Sequence, residues 1–268
     1  MPEGDTVWLT ARRLDEALTG RSLTCSDFRV PRLATTDLRG RGVLETVPRG
    51  KHLLTRVEGG LTVHTHLKMD GTWRVRPAGP PPRDHRLRLA LGNTDHLALG
   101  FSLGIVELLR TDRESEAVGH LGPDLLAPDW GPDLAAEAVR RLASAPSRPI
   151  AEALLDQTRL AGIGNVYKAE ALFLSGVHPL APVRDVADLP ALVDLSHRLL
   201  DANKTRHGHI TTGDRRRGQE HWVYGRAGRP CRRCGTRIDR ATQADRTTYW
   251  CPRCQPVDAR PGPTESPP

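Results

Sequence analysis

No run of this 268-residue chain approaches the ~18 consecutive apolar residues of a membrane helix. Nor does the start carry a basic segment followed by an apolar one, so no secretory signal is expected. No internal repeat is visible, which excludes solenoid and propeller architectures. Cysteine is scarce: there are five, and four of them fall within the last 40 residues. An intracellular chain rarely keeps such thiols as disulfides. Together these absences predict a soluble, cytoplasmic protein without a membrane partner.

What the chain does have is a moderate positive excess. It carries 39 Lys+Arg against 32 Asp+Glu, a net charge of +7, and more than 30 of the basic residues are arginine. That balance suits a polyanion, because the guanidinium fork matches phosphate oxygens, but an Arg-rich composition also accompanies Gly- and Pro-rich sequences in general.

After "PEGD" the apolar residues Val7, Ala11, Leu14 and Leu18 recur at helical spacing, with Asp5 placed to cap the start and Gly20 the end. Residues 22–110 contain short alternating runs such as "LLTRVEG", "LTVHTHL", "TWRVR" and "LRLALGN", broken by Gly and Pro. These predict an antiparallel sandwich or barrel. From about Leu121 four helical segments follow: "PDLAAEAVRRLAS", "PIAEALLDQ", "GNVYKAEALFLSG" and "ADLPALVDLSHRLLDANK". The stretch "HGHITTGDRRRGQE" predicts a long polar loop, and "VDARPGPTESPP" a disordered tail.

The most specific local motif is "CRRCGTRIDRATQADRTTYWCPRC". Cys231 and Cys234 make one C-x2-C pair, Cys251 and Cys254 another, with sixteen residues between that predict a hairpin. Four thiolates close a tetrahedral Zn2+ shell, so the one zinc ion is structural and leaves no position for a catalytic water. Its expected role is to hold Arg246, Arg232 and Arg233 in an array for phosphate. In "DQTRLAGIGNVYKAEALF", Gly162 and Gly164 expose backbone amides where a helix begins. Alone the motif reads first as a packing turn between helices, and in company with the other motifs as a ready site for an anion, to which Asn165 adds a donor. Lys51 in "VPRGKHLL" follows a glycine turn, alone more simply a solvated surface lysine than a phosphate contact, and Met69 in "HTHLKMDGTW" is either core of a strand or a loop-tip wedge into a base stack.

Taken together, "MPEG", "RGKHLL", "HLKMDG", "LDQTRLAGIGNVYKAEALF" and "DRTTYWCPRCQ", in that order from Met1 to about Gln255, resemble the bifunctional DNA glycosylase/AP lyase family of formamidopyrimidine-DNA glycosylase and endonuclease VIII. The resemblance implies an α+β multidomain fold: an N-terminal helix on a two-layer β-sandwich (1–118), a helix–two-turn–helix domain (119–225), a zinc-finger β-hairpin (226–256) and a tail (257–268). It also implies an activity, removal of a damaged base followed by β,δ-elimination, and a partner, damaged double-stranded DNA, with single-stranded or bubble DNA as alternatives. A monomer is expected.

Carried over position by position, the resemblance makes Pro2, freed by removal of Met1, the nucleophile. Glu3 becomes the general acid/base. Lys51, Arg246 and Asn165 become phosphate contacts at the lesion, and Met69, Lys68 and Phe101 become residues that enter the DNA. Two departures stand out. Many members have a second glutamate where this chain has Thr6, and "LGFSLG" offers Phe101 and Leu103 but no arginine to read the orphaned base. Both tilt the expectation toward the endonuclease VIII branch and oxidised pyrimidines, the alternatives being an oxidised-purine glycosylase or a catalytically silent zinc-finger DNA-binding protein.

Overall fold

A computed structural model of the chain describes residues 2–257. The expected tail therefore lies, from residue 258 on, outside the described residues, as does Met1. Helix α1 (Gly4–Leu18) buries the stripe Val7, Ala11, Leu14 and Leu18, and ends where Gly20 takes a left-handed φ of 76°. Its N-cap is Glu3, not Asp5.

Strands β1 (Cys25–Phe28), β2 (Val43–Arg49), β3 (His52–Val57), β4 (Leu61–His66), β5 (Thr72–Pro77), β6 (Leu87–Gly92), β7 (His96–Phe101) and β8 (Ile105–Arg110) follow in chain order. They form two antiparallel four-stranded sheets, ordered β1-β6-β7-β5 and β2-β3-β4-β8. The inward residues Leu53, Val57, Val63, Leu89, Leu91 and Ala98 pack with the α1 stripe into one core. Fully burying each such side chain contributes roughly 1.5–3 kcal/mol, which fixes α1 and hence the start of the chain on the sandwich.

The second half is helical, as its periodicity predicts. A short turn α2 (Ser115–Val118) leads to α3 (Pro132–Ala143), α4 (Ile150–Leu155), α5 (Asn165–Leu174) and α6 (Leu189–Asp201). Pro132 opens α3, and Asp188 caps α6 by accepting the Ala191 N–H at 2.8 Å. These helices enclose a second core around Leu154, Tyr167, Leu172 and Leu200. A smaller apolar cluster of Leu54, Val118, Leu121 and Ala161 joins it to the sandwich.

Strands β9 (Asp239–Gln243) and β10 (Arg246–Trp250) form the expected hairpin. Ala244 and Asp245, both at positive φ, make its two-residue turn. Phe173 and Ala169 of α5 pack against Val223, Ile238, Cys231 and Cys251, so the hairpin module is anchored on α5. Among the described residues no helix is long and apolar enough to cross a membrane.

Candidate active site and metal centre

The first residues of the chain are built into the structure from both sides. Gly4 N–H donates to the Gly162 carbonyl at 2.8 Å, so the first residue of α1 abuts the glycine turn before α5. The Glu3 carboxylate, fully buried, is seated on the first turn of α5. It accepts N–H bonds from Val166 (2.7 Å), Gly164 (2.8 Å) and Tyr167 (3.3 Å). The free amides and the helix dipole favour an anion there, and the anion is the protein's own side chain. Of the two readings of the glycine turn, the anion seat is the one seen, and Glu3 occupies it. A Cβ on Gly164 would lie 2.4 Å from Glu3 Cδ, so only glycine leaves room for the carboxylate.

Asp5, in the first turn of α1, is also buried and also engaged by α5. Its Oδ2 accepts the Tyr167 hydroxyl at 2.6 Å and faces His209 Nδ1 at 2.9 Å. Burial, and then the Asp5 charge, push the Tyr167 phenol well above its ordinary range, so it stays a neutral donor. Sequence reading missed this trio, because a tyrosine inside a buried helix and a histidine in a polar loop carry no shared period.

Pro2 lines a cleft of about 600 Å3 between the sandwich, the helices and the hairpin. Lys51, Lys68, Met69, Asn165 and Arg246 line the same cleft. Lys51 arrives on the β2–β3 turn, where Gly50 has a φ of 58° and donates its N–H to Asp124 Oδ2 at 2.6 Å. Asp124 is buried at the start of the helical half, so a carboxylate from one half holds the lysine turn of the other. Burial pulls the Lys51 ammonium down to about 8; Glu3 opposes that shift and Arg246 adds to it.

Arg246 opens β10, with Nη1 3.7 Å from Met69 Sδ. Met69 is 53% exposed, at the tip of the β4–β5 connection, and Lys68 beside it takes a φ of 54°. Asn165 directs its Nδ2 to the Thr247 carbonyl at 2.8 Å, which fastens α5 to β10.

Phe101 is the exception. It packs at the edge of a cluster of Leu87, Ala90, Leu97 and Leu99, and is not among the residues that line the cleft. The Arg74 guanidinium, from the neighbouring strand β5, lies 5.4 Å from its ring centroid, outside the cleft lining.

His66, also on the cleft wall, was not anticipated. Its Nδ1 accepts the Lys68 N–H at 2.8 Å, and it stands edge-on to His52, ring centroids 4.7 Å apart. His52 in turn shares a 2.8 Å hydrogen bond with His64, and His64 one of 2.9 Å with Glu107. Burial is the main reason that His66 is pulled down to about 4 and His52 to about 3, so both are neutral near pH 7. The run "HTH" predicts only a strand, yet alternation puts His64 and His66 on one face of β4.

The four hairpin cysteines converge, with one ligand atom from each within 4.8 Å of the others. Cys231 Sγ–Cys254 Sγ is 3.9 Å and Cys234 Sγ–Cys251 Sγ is 3.5 Å. A tetrahedron with Zn–S bonds of about 2.3 Å has edges of roughly 3.8 Å, so the donor set fits one zinc ion and fills its shell. The expected phosphate array of Arg232 and Arg233 does not form. Arg232 Nε donates to the His221 carbonyl at 3.0 Å, and the Arg233 guanidinium stacks 4.7 Å from the Phe173 ring centroid. Both brace the module, which leaves Arg246 as its charged contribution to the cleft, beside Ala244 of the turn.

The loop after α6 is pinned rather than free. The Asn203 side chain both donates to the Ile210 carbonyl (3.0 Å) and accepts its N–H (3.0 Å). Buried Glu170 accepts the N–H groups of Trp222, Val223 and Tyr224 at 2.7–2.9 Å.

A helix-seated, buried Glu3 beside Pro2, a basic cleft between two halves and a four-cysteine hairpin define a DNA-lesion lyase scaffold. The formamidopyrimidine-DNA glycosylase N-terminal domain matches residues 1–101, the H2TH domain 121–199, and the zinc finger found in FPG and IleRS 228–257. A probable endonuclease 8 2 of Streptomyces coelicolor is 57% identical, covering 98% of this chain and 97% of its own. A DNA-(apurinic or apyrimidinic site) lyase Nei2 of Mycolicibacterium smegmatis is 50% identical over 95% and 99%. Among solved structures, Lactococcus lactis Fpg in complex with abasic-site DNA is 25% identical, with a TM-score of 0.81, over 95% of this chain and all of that one. The chain belongs to the formamidopyrimidine-DNA glycosylase/endonuclease VIII family.

Proposed function

We propose that this protein is a bifunctional DNA glycosylase/AP lyase of base excision repair that acts in the cytoplasm on oxidised bases in DNA. The observation that carries the reading is the convergence of Pro2, Lys51, Asn165 and Arg246 on one cleft, with the Glu3 carboxylate directly behind Pro2. A base in a stacked duplex hides its sugar C1′, so the nucleotide swings into the cleft, and exposed Met69 fills the space it leaves.

Removal of Met1 makes Pro2 a free secondary amine. An α-amine has a reference pKa of about 7.7–8.0 against about 10.4 for lysine, so its free base is roughly several hundredfold more abundant near pH 7. The Pro2 nitrogen bonds to C1′ as the C1′–base bond breaks, and the base leaves with a proton. Glu3 moves protons between the opening sugar and the departing groups. Pro2 gives up its N–H proton, the C1′–O4′ bond opens and O4′ takes a proton through Glu3; the resulting iminium has no N–H left to lose, so it stays an electron sink. Loss of a C2′ proton then expels the 3′ phosphate (β-elimination), and a second elimination expels the 5′ phosphate (δ). Lys51, Arg246 and Asn165 hold the backbone at the lesion while this proceeds. Zinc supplies no chemistry to these steps; held by the four thiolates, it keeps the hairpin folded and Arg246 in place.

Oxidised pyrimidines are the favoured substrates. The absence of an arginine in "LGFSLG" supports this, as does 57% identity to a probable endonuclease 8 2 against 25% to the Fpg structure. An oligonucleotide panel, each with one lesion, tests it: faster single-turnover removal of 8-oxoguanine than of oxidised pyrimidines would assign the purine branch. No strand cleavage of any lesion or abasic DNA by protein with a processed N-terminus would leave a silent DNA-binding module.

A further inference from the structure

Lys168 lies on α5 one turn beyond Asn165, with none of its surface exposed. Its Nζ donates to Thr248 Oγ1 at 2.8 Å, and Thr248 is buried as well. Taking an ammonium out of water is costly, and a single neutral hydroxyl does not offset that cost. Two charges face it: the attractive carboxylate of Glu3, which precedes α1, and the repulsive Arg246 guanidinium from β10. Burial dominates and pulls Lys168 down to about 8. A methionine or leucine would fill the same space at lower cost. The lysine is therefore badly explained by packing alone.

Its partner suggests the explanation. Alternate residues of a strand share a face, so Thr248 and Arg246 point to the same side of β10. Asn165 Nδ2 holds the adjacent Thr247 carbonyl, so two residues one turn apart on α5 grip two consecutive residues of β10. Helix α5 also carries the amides that seat Glu3.

We propose that Lys168 is a positioning residue: by holding Thr248 it sets where Arg246 offers its guanidinium to a DNA phosphate, and so ties the zinc-finger hairpin to the Glu3 end of the site. The proposal rests on the reading of Arg246 as a phosphate contact. Lys168 itself reaches no DNA, and its effect passes through Arg246.

The test is a double-mutant cycle on affinity for a duplex with a tetrahydrofuran abasic analogue, with zinc content measured in parallel. Lys168→Met keeps the length of the side chain and removes the ammonium. It is expected to weaken binding about fivefold or more with Arg246 present, and less than about twofold in Arg246→Ala, with one zinc per chain throughout. The salt dependence of Lys168→Met should flatten to that of Arg246→Ala. Lys168→Arg should recover most of the affinity, and Thr248→Val, which removes only the hydroxyl, should reproduce the Lys168→Met pattern if the latter folds poorly. Equal weakening in both backgrounds, or none in either Lys168→Met or Thr248→Val, overturns the proposal while Arg246 stands. An Arg246→Ala variant that binds like the wild type sinks the phosphate reading and this proposal together.

Discussion

Glu3 and Val166 are 163 residues apart in the chain, yet the fully buried Glu3 carboxylate accepts the Val166 N–H at 2.7 Å. That bond, with those from Gly164 and Tyr167, locates the amino-terminal residues against the helical half of the molecule.

Glu3→Gln replaces one acceptor oxygen with an NH2 group, which then faces a backbone N–H. The expected cost is about 1–3 kcal/mol of stability, because donors are left unpaired in a buried place. Base removal should fall by roughly 10²–10⁴-fold if the carboxylate also moves protons. Thermal denaturation and single-turnover kinetics separate the two; full activity with reduced stability would reduce Glu3 to a cap.

Gly164→Ala leaves every reacting group intact but drives a methyl into Glu3. The carboxylate must leave the helix start, so this variant should lose activity nearly as far as Glu3→Gln. Wild-type turnover in Gly164→Ala would show that the seat of Glu3 on α5 has no bearing on the chemistry.

Lys51 bears on pH dependence. Held down to about 8, it loses its charge as pH rises through 8, where an ordinary lysine stays charged to about 10.4. Affinity for abasic-analogue DNA should therefore fall between about pH 7 and 9.5, and Lys51→Arg, always charged, should flatten that fall. Stability runs the other way. The unfolded chain binds more protons between about pH 8 and 10.4, so the Lys51 contribution to stability rises across that window, and that of Lys168, shifted alike, rises with it. Affinity rising with pH would contradict the assignment of Lys51 to phosphate.

Zinc removal should undo the hairpin alone. Structural sites of this kind contribute on the order of 10–16 kcal/mol to folding of small modules, whereas the sandwich and helical cores are built without the metal. Chelation, or Cys251→Ser, should abolish measurable DNA affinity and leave most of the circular dichroism unchanged. Metal-free protein that binds DNA as well as before would show that Arg246 needs no hairpin.

Much of this fold is written in local patterns. The stripe of α1, the alternation of β3 to β6, the Pro- and Gly-bounded helices and the paired C-x2-C each depend on residues near one another in the chain. The convergence of Pro2, Lys51, Asn165 and Arg246 follows once the family resemblance orders their motifs. What stayed hidden consists of side-chain bonds over long separations. The amides after Gly162 were legible as an anion seat, but not that Glu3 occupies it. Asp5 looked like a cap and is a partner of Tyr167 and His209. Residues Asn165 to Phe173 of α5 are all buried, so no polar face marks Lys168 or Glu170 as functional. The loop after Asn203 is held by bonds from Asn203, Glu170 and Asp5 that no period in its own residues reports.

The most direct measurement is borohydride trapping on an abasic-site duplex, followed by mass spectrometry of the cross-linked peptide. Protein that has lost Met1 should give a covalent adduct located on Pro2, with trapping lost or strongly reduced when Met1 is retained. An adduct on a lysine, undiminished by blocking the amino terminus, would contradict the assignment of Pro2 as nucleophile.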